Sequence, residues 1–214
     1  MFAFCNIGMT KQGKSRKARE MITKHPMDTF GALVNDVNNE YGDFRRDRES
    51  GISKPSTGLQ LVQSLNESNS RQLYRSRYGG ANATMKEYLQ IVRTKEYTTV
   101  IFEECTAFFK GRTPPNLCEM IINKGHTINN YIFQFHSIRS VPPELLGLMD
   151  YVNLFKTNDN EEIVAQKDQK LLPYWLDLQT KPDGAAPHVI NWLEAKPFQK
   201  EAYLDLKRKY GMIR

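Results

Sequence analysis

Eight residues near the amino terminus, Gly8-Met9-Thr10-Lys11-Gln12-Gly13-Lys14-Ser15, keep the spacing G-x-x-x-x-G-K-S directly behind the apolar run Met1-Phe2-Ala3-Phe4-Cys5. Few short patterns constrain a fold as tightly, because this loop works only between a strand and a helix. Glycine lets the backbone curl close around a polyphosphate and aim successive amides at it, and the helix N-terminus adds its dipole. Lys14 then meets the terminal phosphates and the Ser15 hydroxyl ligates magnesium. The flanks fit. Phe2, Phe4 and Ile7 make an apolar lead-in, and Ala18, Arg19, Glu20 and Met21 are good helix formers. The expected nucleotide contacts are Gly8, Met9, Thr10, Lys11, Gln12, Gly13, Lys14, Ser15 and Arg16, with ATP and Mg2+ as ligands.

A chain of 214 residues suffices for one well-buried domain and is short for two large ones. No run of about 18 apolar residues is present, so no transmembrane segment is expected and a soluble, intracellular protein is. Cys5, Cys105 and Cys118 are scattered without C-x-x-C spacing, and the four histidines lie far apart, which predicts free thiols and no zinc site. The net charge of +6 is unevenly placed. Lys11, Lys14, Arg16, Lys17, Arg19 and Lys24 crowd the first helix, Arg45, Arg46 and Arg48 follow, then Arg71, Arg75 and Arg77, and finally Lys207, Arg208 and Lys209. Such clusters suit a polyanion, and they are equally the composition of an ordinary solvated surface.

Apolar β-rich runs alternate with helical stretches, the pattern of a parallel sheet wrapped by helices. Strands are expected at 2–7, 30–36, 97–103, 130–136 and 150–156, and helices at 14–24, 84–94, 115–124, 142–148 and 197–210. The polar stretch 42–80 has one apolar patch at Leu59, Leu61 and Val62 and reads as an insertion at the sheet edge, a candidate DNA-facing loop. Within it, Arg71, Tyr74, Arg75 and Arg77 interleave cations and aromatics and are candidate DNA contacts. A solvated loop fits them as well.

A phosphate loop that hydrolyses ATP needs acids on a partner strand. The run Tyr97-Thr98-Thr99-Val100-Ile101-Phe102-Glu103-Glu104 supplies them. Strand alternation predicts that the two carboxylates point to opposite sides and divide the work. Glu103 would hold magnesium, and Glu104 would orient and deprotonate the attacking water. A further apolar strand, Asn130 to Phe135, runs into His136. Additional-strand ATPases carry a γ-phosphate-sensing polar residue on a strand between the loop strand and the acidic strand, so Gln134 and His136 are the candidates.

In their order, these pieces resemble the FtsK/HerA superfamily of ring-forming DNA pumps, and more narrowly the genome-packaging ATPases of viruses with an internal membrane. The resemblance is carried by the phosphate loop near the N-terminus, by Leu33 to Gly42 with its Asp36 and Glu40-Tyr41, by Phe102-Glu103-Glu104, and by His136 to Leu145 followed by Tyr151 to Thr157. It spans residues 1 to about 157. It implies a three-layer α/β P-loop NTPase, RecA/FtsK/HerA-like, with a mostly parallel central sheet. The chain would be one ATPase domain over 1–214, with the insertion at 42–80 and an extension at 159–214. It also implies a pentameric or hexameric ring with ATP between subunits, double-stranded DNA in the channel, and a capsid-vertex or membrane protein as a further partner. The setting would be the infected cell's cytoplasm or a packaging vertex of the virion. Two departures stand out. The first acid is Glu103 where the family usually has Asp, and where it often has an arginine reaching the neighbouring site this chain offers Lys124. Arg112, Lys124 and Arg139 are all candidates for that trans-acting cation, and Arg139 is counted with Lys14, Glu104 and Gln134 among the catalytic candidates.

Two rival readings remain open at this level. A small-molecule kinase also opens with a phosphate loop and would use Arg71 to Arg77 as a lid, although paired glutamates suit water activation better than transfer to a substrate hydroxyl. A nucleotide-gated assembly protein with little turnover would make no use of Glu104. Residues beyond Asp159 are less informative. Trp175 and Trp192 sit in apolar contexts that suit docking on the core or on a neighbour. The segment Phe198 to Met212 reads as an amphipathic helix that closes the domain, faces DNA or meets a partner.

Overall fold

A computed structural model of the chain describes residues 1–24, 31–35, 59–64, 73–78, 85–96, 98–109 and 111–196, together with Asp205, Arg208, Lys209 and Gly211. Eight strands form one sheet: β1 (Ala3–Ile7), β2 (Gly31–Asn35), β3 (Leu59–Ser64), β4 (Leu73–Tyr78), β5 (Thr98–Phe102), β6 (Asn130–Phe135), β7 (Tyr151–Leu154) and β8 (His188–Asn191). Their spatial order is β3-β4-β2-β5-β6-β1-β7-β8. The six inner strands run parallel, and β3 and β8 close the two borders antiparallel. All five expected strands are present. The additional strand β6 lies between β1 and β5, where an additional-strand ATPase requires it.

Helices are α1 (Lys14–Lys24), α2 (Met85–Val92), α3 (Cys105–Phe109), α4 (Pro115–Ile122), α5 (Lys124–Thr127), α6 (Pro143–Gly147), α7 (Glu161–Lys167) and α8 (Leu172–Gln179). They cover the sheet unequally. Alternation on the central strands sends Ala3, Cys5, Ile7, Val100, Phe102, Tyr131, Phe133 and Phe135 to one face, where they meet buried residues of α2, α4, α6, α7 and α8. The other face buries Val34, Ile101 and Ile132 beneath Ala18 and Met21 of α1. Strands with both faces covered read as near-continuous apolar runs, which is why β5 and β6 are buried at every position. Phe102 and Phe133 stack across the β5–β6 pair with centroids 4.8 Å apart, and Tyr88 meets Phe102 edge-on at 5.1 Å. The Tyr88 hydroxyl lies 2.8 Å from Ile101 O and 3.0 Å from Leu33 O, tying α2 to β2 and β5. Burial pushes its pKa well up.

The polar insertion contributes sheet as well as connection. Its apolar patch becomes β3, and Leu73 to Tyr78 becomes β4, which pairs with β2 and places Arg75 opposite Ala32 and Arg77 opposite Val34. Two of its segments, Leu59–Ser64 and Leu73–Tyr78, are thus strands toward one border of the sheet rather than loop. Arg71, the segment Asp36 to Gly42, and most of the expected terminal helix 197–210 lie outside the described residues. In the extension, Leu172, Trp175, Leu176 and Trp192 are buried in the main core. Both tryptophans thus dock on this chain's own core. No described helix is long and apolar enough to cross a membrane.

Candidate nucleotide site

The phosphate loop hangs between the carboxyl ends of three parallel strands. Gly8 N–H donates to Phe135 O at the end of β6 at 3.0 Å, and Met9 N–H donates to Lys156 O beyond β7 at 3.1 Å. Gly8 is required sterically, because a Cβ built there would stand 2.4 Å from Phe155 Cβ. Gly13 is required conformationally, with φ +93°. Lys11 also takes a left-handed φ, +65°. Then α1 begins, with no acid in its first turn and Lys14, Arg16 and Lys17 there instead. Cations at a helix N-terminus oppose the dipole, so this turn suits an external anion better than it suits the isolated helix.

Lys14 is 8% exposed, and its ammonium donates to Gly8 O at 2.7 Å and Met9 O at 2.9 Å. A third contact lies 3.5 Å away, at His136 Nδ1. His136 in turn places Nε2 2.7 Å from Glu104 Oε2. An ammonium only donates and a carboxylate only accepts, so the neutral imidazole protonated on Nε2 satisfies both neighbours at once. Its backbone N–H is held by Thr106 Oγ1 at 3.2 Å. One imidazole thus joins the loop lysine to the proposed base.

Glu103 and Glu104 take different partners, as separate jobs require, but not through strand alternation. β5 ends at Phe102, and Glu104 turns the chain with φ +54°, unusual for a residue with a side chain and of the kind concentrated at functional sites. Both acids therefore meet the end of β6. Buried Glu103 accepts from Gln134 Nε2 at 2.5 Å through Oε1, and its backbone oxygen lies 3.5 Å from Asn35 Nδ2. Glu103 and Ser15 carry the oxygens that could hold a magnesium ion. No group of three or more His, Cys, Asp or Glu poised to hold a metal exists among the described residues. Magnesium at a phosphate site needs only one or two protein oxygens, because phosphate and water supply the rest.

The trans-acting candidates separate by position. Arg139 follows His136 at the loop end of β6. Its side chain is exposed and lines a cavity of about 480 Å³ with Pro143, Glu162 and Lys167. Arg112, just past α3, is also exposed. Lys124 lies at the opposite end of β6, 3.3 Å from Asp150, whose carboxylate also accepts from Ala3 N–H at the start of β1. From the sequence alone, His136 is only an alternative to Gln134 as the γ-phosphate sensor. Its bridge between Lys14 and Glu104 is a long-range pairing that no local motif encodes.

The fold has parallels among solved structures. The chain is similar to the genome packaging NTPase B204 from Sulfolobus turreted icosahedral virus 2 in complex with ATP-gammaS, with TM-score 0.65 and 14% sequence identity over 92% of this chain and 98% of that one. It is similar also to B204, the DNA-packaging ATPase from Sulfolobus turreted icosahedral virus, with TM-score 0.61 and 13% identity over 92% and 98% of the two chains. No protein-family model matches the sequence, and no curated protein matches it. At these identities the likeness establishes the fold, an α/β P-loop NTPase with a mostly parallel sheet.

Proposed function

We propose that this chain is an ATP-hydrolysing motor that moves double-stranded DNA, packaging a viral genome into a preformed capsid. The observation that carries the hydrolytic part is the linked set Lys14, His136 and Glu104, with Glu103 and Gln134 beside it. Lys14 already converges on the loop with donors that suit phosphate oxygens in place of carbonyls. Glu104, a half-buried carboxylate beside an imidazole, would take a proton from an attacking water. Gln134 and His136 would report the γ-phosphate to the two acids they touch. Magnesium, held through Ser15 and Glu103, would neutralise charge on the transferring phosphoryl group.

The DNA part is supported by the shared fold of packaging NTPases and by the clustered cations. A pump must hold every sequence, so phosphate contacts are expected rather than base readout. Arg71, Tyr74, Arg75 and Arg77 are the proposed DNA contacts, and Arg112, Lys124 or Arg139 would complete a neighbouring site in a homo-oligomeric ring. A capsid-vertex or membrane protein is the proposed further partner, met in the infected cell or at the virion. The separate partners of Glu103 and Glu104 favour water activation over kinase chemistry.

The test is steady-state ATP turnover with and without long duplex DNA, measured with no small acceptor and again with small hydroxyl acceptors added. Strong stimulation by DNA is the expected result. Turnover indifferent to DNA but dependent on a small hydroxyl acceptor would replace the motor with a kinase.

A further inference from the structure

The turn after α8, which no motif singled out, returns to the phosphate loop. Gly184 N–H donates to Gln12 Oε1 at 2.8 Å, and Gln12 is only 6% exposed. Gly184 has φ +79°, a conformation that glycine reaches without strain. Lys156 grips the loop and the turn together. Its backbone oxygen takes Met9 N–H, while its ammonium lies 3.0 Å from Asp183 Oδ1 and donates to Lys181 O at 2.8 Å. The turn is itself anchored on α8, where Asp177 binds the Lys181 ammonium and stands 2.6 Å from His188 Nε2. Gln179 Nε2 adds a bond to Thr157 O at 3.3 Å.

These contacts hold the loop at Met9 and Gln12, on either side of Lys11. A non-glycine residue in the left-handed region persists only where its surroundings over-determine it. A loop that binds polyphosphate through backbone amides depends on keeping that shape.

We propose that the turn Lys181–Gly184 is a positioning element of the nucleotide site, holding the phosphate loop through Gln12 and Lys156, so that the chain's C-terminal part sets nucleotide affinity. The inference rests on the reading of residues 8–15 as that site.

The test compares full-length wild type with Gln12→Met, which keeps length but loses the acceptor, with Lys156→Met, which loses only the ammonium, and with their double variant. Dissociation constants for a fluorescent ATP analogue are measured beside nucleotide-free thermal unfolding. Each single variant is expected to weaken binding about three- to tenfold, the scale of one lost hydrogen bond or ion pair. Through the shared turn, the double variant should weaken it by less than the product of the two. For Lys156→Met the loss should fall on KM, with kcat within about twofold, and Lys156→Arg should restore affinity. Affinities unchanged in both single variants, with Lys14→Ala abolishing binding, would overturn the positioning role alone. Failure of Lys156→Arg to restore affinity would do the same. Wild-type binding by Lys14→Ala would overturn the nucleotide site and this inference together.

Discussion

Replacing Gly8 by alanine tests the loop's geometry most sharply. The added methyl would lie 2.4 Å from Phe155 Cβ and 3.2 Å from Phe155 Cγ. Carbon atoms rest at about 3.5–4.0 Å, so something must move by about 1 Å. Little is free to do so. Phe155 is 1% exposed, its N–H donates to Ile7 O at 2.8 Å, and Gly8 N–H is bound to Phe135 O at 3.0 Å. The partner atom is a Cβ, so shortening Phe155 to alanine leaves the worst contact in place. Forced overpacking of this kind costs about 1–3 kcal/mol. For a chain of this length each kcal/mol lowers Tm by about 2–4 °C, giving a fall of about 2–12 °C. Gly8 O also accepts from Lys14 Nζ, so the shift should carry the lysine with it and weaken ATP binding. Differential scanning fluorimetry and nucleotide titration read both effects. An unchanged Tm with unchanged affinity would refute the packing argument.

Further outcomes follow from individual side chains. His136→Ala removes the link between Lys14 and Glu104 and should cut turnover about tenfold or more, the worth of a hydrogen bond to a charged group, and steady-state kinetics will read it. Tyr88→Phe removes the hydroxyl that bridges the Leu33 and Ile101 carbonyls, so chemical denaturation should show a loss of about 1–2 kcal/mol. Burial pushes the Cys5 and Cys105 thiols well above the ordinary range. The folded state therefore keeps protons that the unfolded chain releases. Stability is intact below about pH 8.5 and should fall as pH rises beyond it, by about 1.4 kcal/mol per unit for each such group. Thermal unfolding across pH 8 to 10.5 measures this, and a thiol reagent on native protein should label partly exposed Cys118 first.

Local signals carried much of this far. The loop spacing, the apolar runs of β1, β5 and β6 and the acids after Phe102 are contiguous in sequence, and each is dictated by steric or burial rules acting over a few residues. β3 and β4 escaped because short amphipathic strands at a sheet edge are diluted by polar neighbours. α7, α8 and β8 escaped because their burial depends on a core assembled elsewhere, as Trp175 and Trp192 illustrate. Glu104 shows the limit most clearly. Its identity as an acid was readable, whereas its left-handed turn toward His136 depends on residues 32 positions away.

The central claim is that Glu104 readies water for attack on ATP held by the loop, and Glu104→Gln tests it directly. Binding of ATP should stay close to wild type while single-turnover hydrolysis falls about 10²- to 10⁴-fold, the usual contribution of a general base. Hydrolysis within a fewfold of wild type, at saturating ATP, would contradict it.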